Sequence, residues 1–308
     1  MLDAPVWGAV FGLSLMVKPT PPSTFCSPIF ESVGAALDWA AGQLRPAGID
    51  NPRLEARLLA AHAAGLSPME LIARRGDPFP AQPFADLVSL RAHHVPLAHL
   101  TGVREFWSLP FHVTPATLIP RPESECLVEA ALRRLPQAAP ARILDLGTGT
   151  GCLLLAVLSE RPAAHGIGVD RVPAAAELAA RNASDLGLSN RAAFLCGDWA
   201  DAIDGRFALV LSNPPYISTR ELVGLMPEVA RYEPASALDG GAVGLDAYAR
   251  IFADLPRLLA PGAAAVLELG PALEVADLAR AAGLAFEIEP DLAGTPRAAI
   301  CSLPGGHI

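Results

Sequence analysis

The chain has 308 residues, 52% of them hydrophobic, and carries 23 Lys+Arg against 32 Asp+Glu for a formal net charge of −9. That length holds one large domain or a mid-sized domain with a small companion. The acidic balance, with Lys18 as the sole lysine, excludes the basic face expected of a nucleic-acid clamp. Five cysteines (Cys26, Cys126, Cys152, Cys196, Cys301) lie far apart with no CxxC pair, and no histidine stands at metal-ligand spacing. Neither a disulfide framework nor a metal site is expected, a reducing cytoplasm fits, and the neighbours His93 and His94 read as surface or packing residues.

Residues 1–30 contain the apolar run "VWGAVFGLSLMV". It is shorter than a membrane span and follows "MLDA" rather than a basic segment, so the stretch reads as a disordered or misassigned leader with Met16 as an alternative start. No membrane association is expected.

Residues 31–98 read as a small helical bundle. In "NPRLEARLLAAHAAGL", Asn51 is the expected N-cap and Pro52 lies at the first helical turn, Leu54, Leu58, Leu59 and His62 fall on one stripe, and Gly65 lies just past the end. In "SPMELIARRG", Ser67 and Glu70 form a capping box around Pro68, and Gly76 is expected to close the helix. Seven acidic and six basic residues in this region suit a protein-facing surface rather than a DNA-facing one. Residues 99–121, "HLTGVREFWSLPFHVTPATLIPR", alternate aromatic and polar positions between prolines and read as a β-hairpin linker.

From Ala141 onward, short apolar runs ("RILDL", "GIGVD", "RAAFLCGD", "FALVLSN", "AAAVLEL", "FEIEP", "RAAICSL") alternate with amphipathic helical stretches. This alternation argues an α/β fold with a mostly parallel, doubly wound sheet. Residues 122–308 are therefore assigned as the catalytic domain, with its ligand at the carboxyl ends of the strands.

Four strand endings carry chemistry. "DLGTGTG" places Gly147, Thr148, Gly149, Thr150 and Gly151 between a strand and a helix, where glycines let the backbone turn tightly and approach a ligand. The dinucleotide fingerprint would need glycine where Cys152 stands. Asp170 ends the next strand and can accept both hydroxyls of a ribose, or cap the following helix. Asp198 and Trp199 end a third, an acceptor for an exocyclic amine beside a ring for an adenine face. Together these describe a nucleoside lying across the sheet, with no lysine to hold a triphosphate, and S-adenosylmethionine fits.

The fourth ending is "LVLSNPPY". A planar nitrogen, whether amide or ring-bound amine, is a poor nucleophile because its lone pair is delocalised. Acceptors for its N–H bonds return electron density to nitrogen and hold it in line. The Asn213 side-chain oxygen and the Pro214 carbonyl can supply two acceptors, Pro214 and Pro215 stiffen the turn and remove competing N–H groups, and Tyr216 can lie against the planar group. The motif by itself leaves amide and adenine both open.

"DLGTGTG" with "NPPY", preceded by "EFWSLPFHVTPATLIPRPESE", resembles the peptide chain release factor glutamine N5-methyltransferases, over about residues 31–303. The resemblance implies a class I methyltransferase fold, Rossmann-like, with a seven-stranded sheet and an N-terminal helical domain that helps to hold the factor. It implies that Gly147 to Gly151 hold the methionine part of S-adenosylmethionine, Asp170 the ribose and Trp199 the adenine. Asn213 would touch both cofactor and substrate, and Asn213 to Tyr216 would bind the glutamine of a Gly-Gly-Gln loop. Arg121 and Glu123 would border the site, with Phe106 as an aromatic wall. Ser124 stands where threonine is usual, and Val243 replaces a common acid before Gly244. The implied protein is a cytoplasmic monomer that acts on release factors without touching nucleic acid. A ribosomal-protein glutamine methyltransferase ranks second and a DNA adenine-N6 methyltransferase third, the latter lacking a basic cleft. A non-catalytic relative would first lose the acceptor motif, which is intact.

Overall fold

The computed structural model describes residues 30–305. The leader expected over residues 1–30 lies outside these apart from Phe30, which is buried and bridges to Phe79 at the edge of the helical bundle.

Five helices open the chain: α1 (Val33–Leu44), α2 (Pro52–Ala64), α3 (Pro68–Ala73), α4 (Phe84–Ala92) and α5 (Leu97–Thr101). Local chemistry sets their ends. Ser32 Oγ accepts from the Ala35 amide, Ser67 and Glu70 form the reciprocal capping box, and Gly65 closes α2 at φ 62°. The buried face of α2 differs from the expected stripe: Ala56, Leu59, Ala60 and Ala61 face inward, while Leu54 and His62 are exposed. The small side chains let α1 approach closely, and a wider leucine face would hold the two helices apart. Helix α3 ends at Ala73, before Gly76. Phe30, Trp39, Phe79 and Phe84 close the bundle core with ring centroids 5.2–6.5 Å apart.

The hairpin is shorter than the segment read from the sequence: β1 (Val103–Phe106) pairs antiparallel with β2 (Leu109–His112). Trp107 and Ser108 turn it with φ 53° and 57°, the left-handed pair of a type I′ turn. Helix α5 takes the start of that segment, and residues 113–121 run without regular structure.

The remainder runs α6 (Glu125–Arg134), β3 (Ala141–Leu146), α7 (Cys152–Glu160), β4 (Ala164–Asp170), α8 (Pro173–Asp185), β5 (Ala192–Cys196), β6 (Phe207–Ser212), α9 (Pro227–Tyr232), α10 (Asp246–Leu258), β7 (Leu259–Glu268), α11 (Ala272–Ala281), β8 (Ala285–Pro290) and β9 (Pro296–Ser302). The sheet has seven strands in the order β5-β4-β3-β6-β7-β9-β8; β9 pairs antiparallel with both β7 and β8, and the other pairs are parallel. One core layer gathers Leu127, Val128, Leu154, Val157 and Leu211, the other Tyr248, Ile251, Phe252, Leu255 and Val275. Each such side chain contributes roughly 1.5–3 kcal/mol on full burial. The order reverses at β3, which has β4 on one side and β6 on the other. A crevice opens at such a switch point beyond the strand ends.

Candidate functional site

A cavity of about 570 Å³ lies at that crevice, within the roughly 300–1,000 Å³ usual for small-molecule sites. Gly147 to Thr150 line it from the tip of β3, Asp170 from β4, Asp198 and Trp199 from the end of β5, and Asn213 and Pro215 from β6. The four strand endings singled out in the sequence therefore meet at one place. Ser212 Oγ donates to the Leu146 carbonyl at 2.7 Å and ties the two central tips together.

The glycine loop is shaped to admit a ligand. Gly147 and Gly149 adopt φ 71° and 55°, and a Cβ on either would meet nothing nearer than 3.5 Å. The Gly147 backbone faces the Trp199 ring, and the nearest atom to a Cβ on Gly149 would be Thr117 Cβ at 4.0 Å. Gly151 differs: at φ 79° it sits outside the cavity lining, where a Cβ would come within 3.3 Å of Ala179, Leu155 and Phe194. It serves helix–strand packing. Asn182, fully buried on α8, accepts from the His112 amide at 2.8 Å and donates to the Thr150 carbonyl at 2.9 Å, fastening the loop to the hairpin.

Asp145 is the loop's buried charge, and the sequence reading did not select it. It is 1% exposed, Thr148 Oγ1 donates to its Oδ2 at 2.6 Å, and Oδ1 has no hydrogen-bond partner among the described residues. Burial pushes its pKa up to about 7, with help from the Asp170 charge and against the Thr148 hydrogen bond and the Leu154 backbone amide. An unpaired buried carboxylate oxygen costs free energy unless a cation or donor meets it. This fits a ligand with an ammonium end, as the methionine part of S-adenosylmethionine has.

Asp170 accepts from the Gly149 amide and the Val172 amide, both at 2.9 Å. It therefore braces the glycine loop and the turn that leads into α8 while lining the cavity. The Trp199 ring lies near Gly147, held by a backbone φ of 47°.

Within "NPPY" the chain alternates. Asn213 and Pro215 line the cavity, whereas Pro214, which is buried between them, and Tyr216 are outside its lining. The Tyr216 hydroxyl donates to Glu268 Oε1 at 3.0 Å. Glu268, at the end of β7, is 4% exposed and also accepts from Ser124 Oγ; Ser124 Oγ in turn lies 3.5 Å from Asn213 Nδ2. Burial raises the Glu268 pKa, opposed by the bonds from Ser124 and Tyr216 and by Arg297. The Tyr248 hydroxyl fixes this strand tip, donating to the Glu268 carbonyl at 2.6 Å and accepting from the Gly270 amide at 2.8 Å. The run "LEL" in a strand ending carried the only sequence signal for Glu268: a carboxylate where a buried strand closes.

Arg121 lines the cavity and bonds Glu233 at 2.5 Å, tying it to the residue that ends α9. Glu123 is exposed and outside the lining. Phe106 lies apart from the other expected site residues. It is 1% exposed in the core, its ring 6.2 Å from that of Phe111, and forms no wall of the cavity. Phe106 ends β1 on its buried side and joins Phe111, Leu127 and Leu154 in one core layer. Among the described residues, no group of three or more His, Cys, Asp or Glu could hold a metal, and no helix is long and apolar enough to cross a membrane.

Comparison with known proteins bears on the site's identity. Residues 35–102 match the family model "PrmC N-terminal domain", and residues 125–229 match "Methyltransferase small domain". A relative from Rhodospirillum rubrum named release factor glutamine methyltransferase is 46% identical, over 86% of this chain and 83% of its own length. One of the same name from Cereibacter sphaeroides is 46% identical over 87% of this chain and 98% of its own. The Escherichia coli K12 protein of that name is 44% identical over 72% and 80% respectively. With the glycine loop, the Asp170 tip and the "NPPY" turn meeting at one cavity, the chain belongs to the release factor glutamine methyltransferase family.

Proposed function

We propose that the protein transfers a methyl group from S-adenosylmethionine to the side-chain amide nitrogen of the glutamine in the Gly-Gly-Gln loop of peptide chain release factors. The observation that carries this reading is the position of Asn213 beside the glycine loop, on adjacent strand tips that share one cavity. When bound, S-adenosylmethionine supplies an electrophilic methyl group on a sulfonium.

The residues present suit that ligand. Asp145 would take the ammonium group, Gly147 to Thr150 would hold the methionine part through their backbone, Asp170 would meet the ribose, and Asp198 and Trp199 the adenine. The Asn213 Oδ1 and the Pro214 carbonyl would accept the N–H bonds of the glutamine amide, raising electron density on its nitrogen. Pro215 removes an N–H that would otherwise donate into the same space. The amide proton leaves readily once nitrogen is alkylated, so no strong base is needed. Arg121 borders the entrance, and the helical region 31–98 would hold the body of the factor. A monomer acting in the cytoplasm on a protein, with no nucleic-acid contact, fits the acidic chain.

The test is incubation with labelled S-adenosylmethionine and purified release factor, wild type or with the loop glutamine replaced. Label in the wild-type factor alone supports the reading. Equal label in both, no label in either, or label in a ribosomal protein instead would overturn it.

A further inference from the structure

We infer that Glu268 is a positioning residue for the transfer, one that sets which end of the Asn213 amide faces the acceptor. The inference rests on the amide-transfer reading above and adds a residue and a direction to it.

The geometry is a chain of hydrogen bonds with one sense. A carboxylate offers acceptors only. Both oxygens of Glu268 are engaged, Oε1 by the Tyr216 hydroxyl at 3.0 Å and Oε2 by the Ser124 hydroxyl. Because the Ser124 proton is committed to Glu268, its oxygen faces Asn213 with lone pairs alone. The end of the Asn213 amide toward Ser124 must therefore be the NH₂, at 3.5 Å. That leaves Oδ1 as the end available to accept from a substrate N–H. Reversing the relay would turn an NH₂ donor toward the substrate nitrogen, the wrong polarity for drawing density onto it. The same carboxylate holds Tyr216 at the other end of the motif, so one buried side chain orders both ends of "NPPY".

Nothing else in the surroundings competes for the role. Tyr248 is occupied with the Glu268 carbonyl and the Gly270 amide, and it fixes the strand tip rather than the carboxylate. Among the described residues, the charged and titratable groups acting on Glu268 are Arg297 on β9, Glu123 beside Ser124, Cys126 on α6 and Tyr248 on α10, besides Tyr216 itself. A protonated Glu268 would donate to Ser124 or Tyr216 and break the sense of the chain, so transfer should fall on the acid side.

The experiment compares the wild type with Glu268→Gln, Ser124→Ala, Ser124→Thr and the Glu268→Gln/Ser124→Ala double variant, at saturating cofactor so that cofactor binding drops out of the pH profile. Glu268→Gln and Ser124→Ala should each lower kcat by about 10- to 100-fold, the range for removing a group that orients a reacting one. KM for the release factor and the cofactor Kd should stay within about threefold. The double variant should be no worse than the poorer single one, since both cut the same chain. Ser124→Thr should restore the rate, and the acid limb of kcat should vanish in Glu268→Gln. A readout independent of turnover is the Asn213 side-chain amide in the ¹⁵N spectrum of the protein without ligands: its signals should move in both single variants and return in Ser124→Thr.

Wild-type transfer matched by Glu268→Gln, or an Asn213 signal indifferent to both substitutions, overturns the role. If Glu268→Gln does not fold, a Ser124→Ala variant with wild-type kcat and an unmoved Asn213 signal overturns it equally. Failure of the wild type itself to label the release factor strikes the function proposed above and leaves the Asn213 spectrum to decide on Glu268.

Discussion

Thr148 Oγ1 donates to Asp145 Oδ2 at 2.6 Å, while Oδ1, on the same buried carboxyl, has no hydrogen-bond partner among the described residues. The pair is half of a site, and its protonation follows from that. The folded pKa of about 7 stands above the ordinary carboxyl value of 3.8 because burial disfavours the charge. A carboxyl raised in this way adds stability that is complete at low pH and is lost as pH rises through about 7.

The ligand-free protein should therefore lose stability between about pH 4 and pH 7, and cofactor affinity should rise over the upper part of that window as Asp145 ionises. Asp145→Asn should flatten both trends, raise the melting temperature at pH 8 and weaken cofactor binding. Calorimetry at several pH values checks this; affinity that is flat with pH in the wild type would contradict it.

Asn213→Ala should largely abolish transfer while cofactor affinity stays within roughly tenfold, about 1.4 kcal/mol. Only Asn213 and Pro215 line the cavity from the tip of β6, whereas Gly147 to Thr150, Asp170, Asp198 and Trp199 line it from β3, β4 and β5. Single-turnover rates beside cofactor titration give the comparison, and a near wild-type rate would remove Asn213 from the acceptor role.

Phe106→Ala should behave as a core deletion, costing about 3–5 kcal/mol of stability. Cofactor affinity should be unchanged, because the ring packs on Phe111 and lies outside the cavity lining. Denaturant midpoints beside cofactor titration distinguish this from the aromatic-wall role, which would weaken binding instead.

Arg91, 4% exposed on α4, bonds Glu55 on α2 and Glu228 on α9 at 2.7 Å with the latter. Tyr232 adds a bond to the His93 carbonyl at 3.2 Å. Helix α9 also abuts Glu233, which holds Arg121 at the cavity, so one short helix connects the helical bundle to the site. Arg91→Ala should destabilise the chain by about 2–4 kcal/mol, since among the described residues it leaves Glu55 unpaired and Glu228 with only the His94 ring at 3.8 Å. It should also expose residues 217–240 to proteolysis. Urea unfolding and limited digestion measure the two effects, and an unaltered digestion pattern would show that α9 is held by other contacts.

The sequence by itself determined the features that rest on local rules. Strand–helix alternation, the capping box at Ser67 and Glu70, the left-handed Gly65, the glycine loop and the "NPPY" turn all follow from periodicity and turn chemistry within a few residues. Position at strand ends was enough to bring Gly147, Asp170, Trp199 and Asn213 to one crevice, because in a doubly wound sheet the parallel strands end on the same side. Only the tertiary structure decided which face of a half-apolar element is buried. It turned Ala56 inward and Leu54 outward on α2, and it took Phe106 from the expected wall of the site into the core. It alone gave Asp145 its raised pKa and joined Ser124, Tyr216 and Glu268, residues up to 144 apart in the chain. Burial and directed hydrogen bonds depend on what packs opposite, and no local pattern encodes a partner that arrives from another strand.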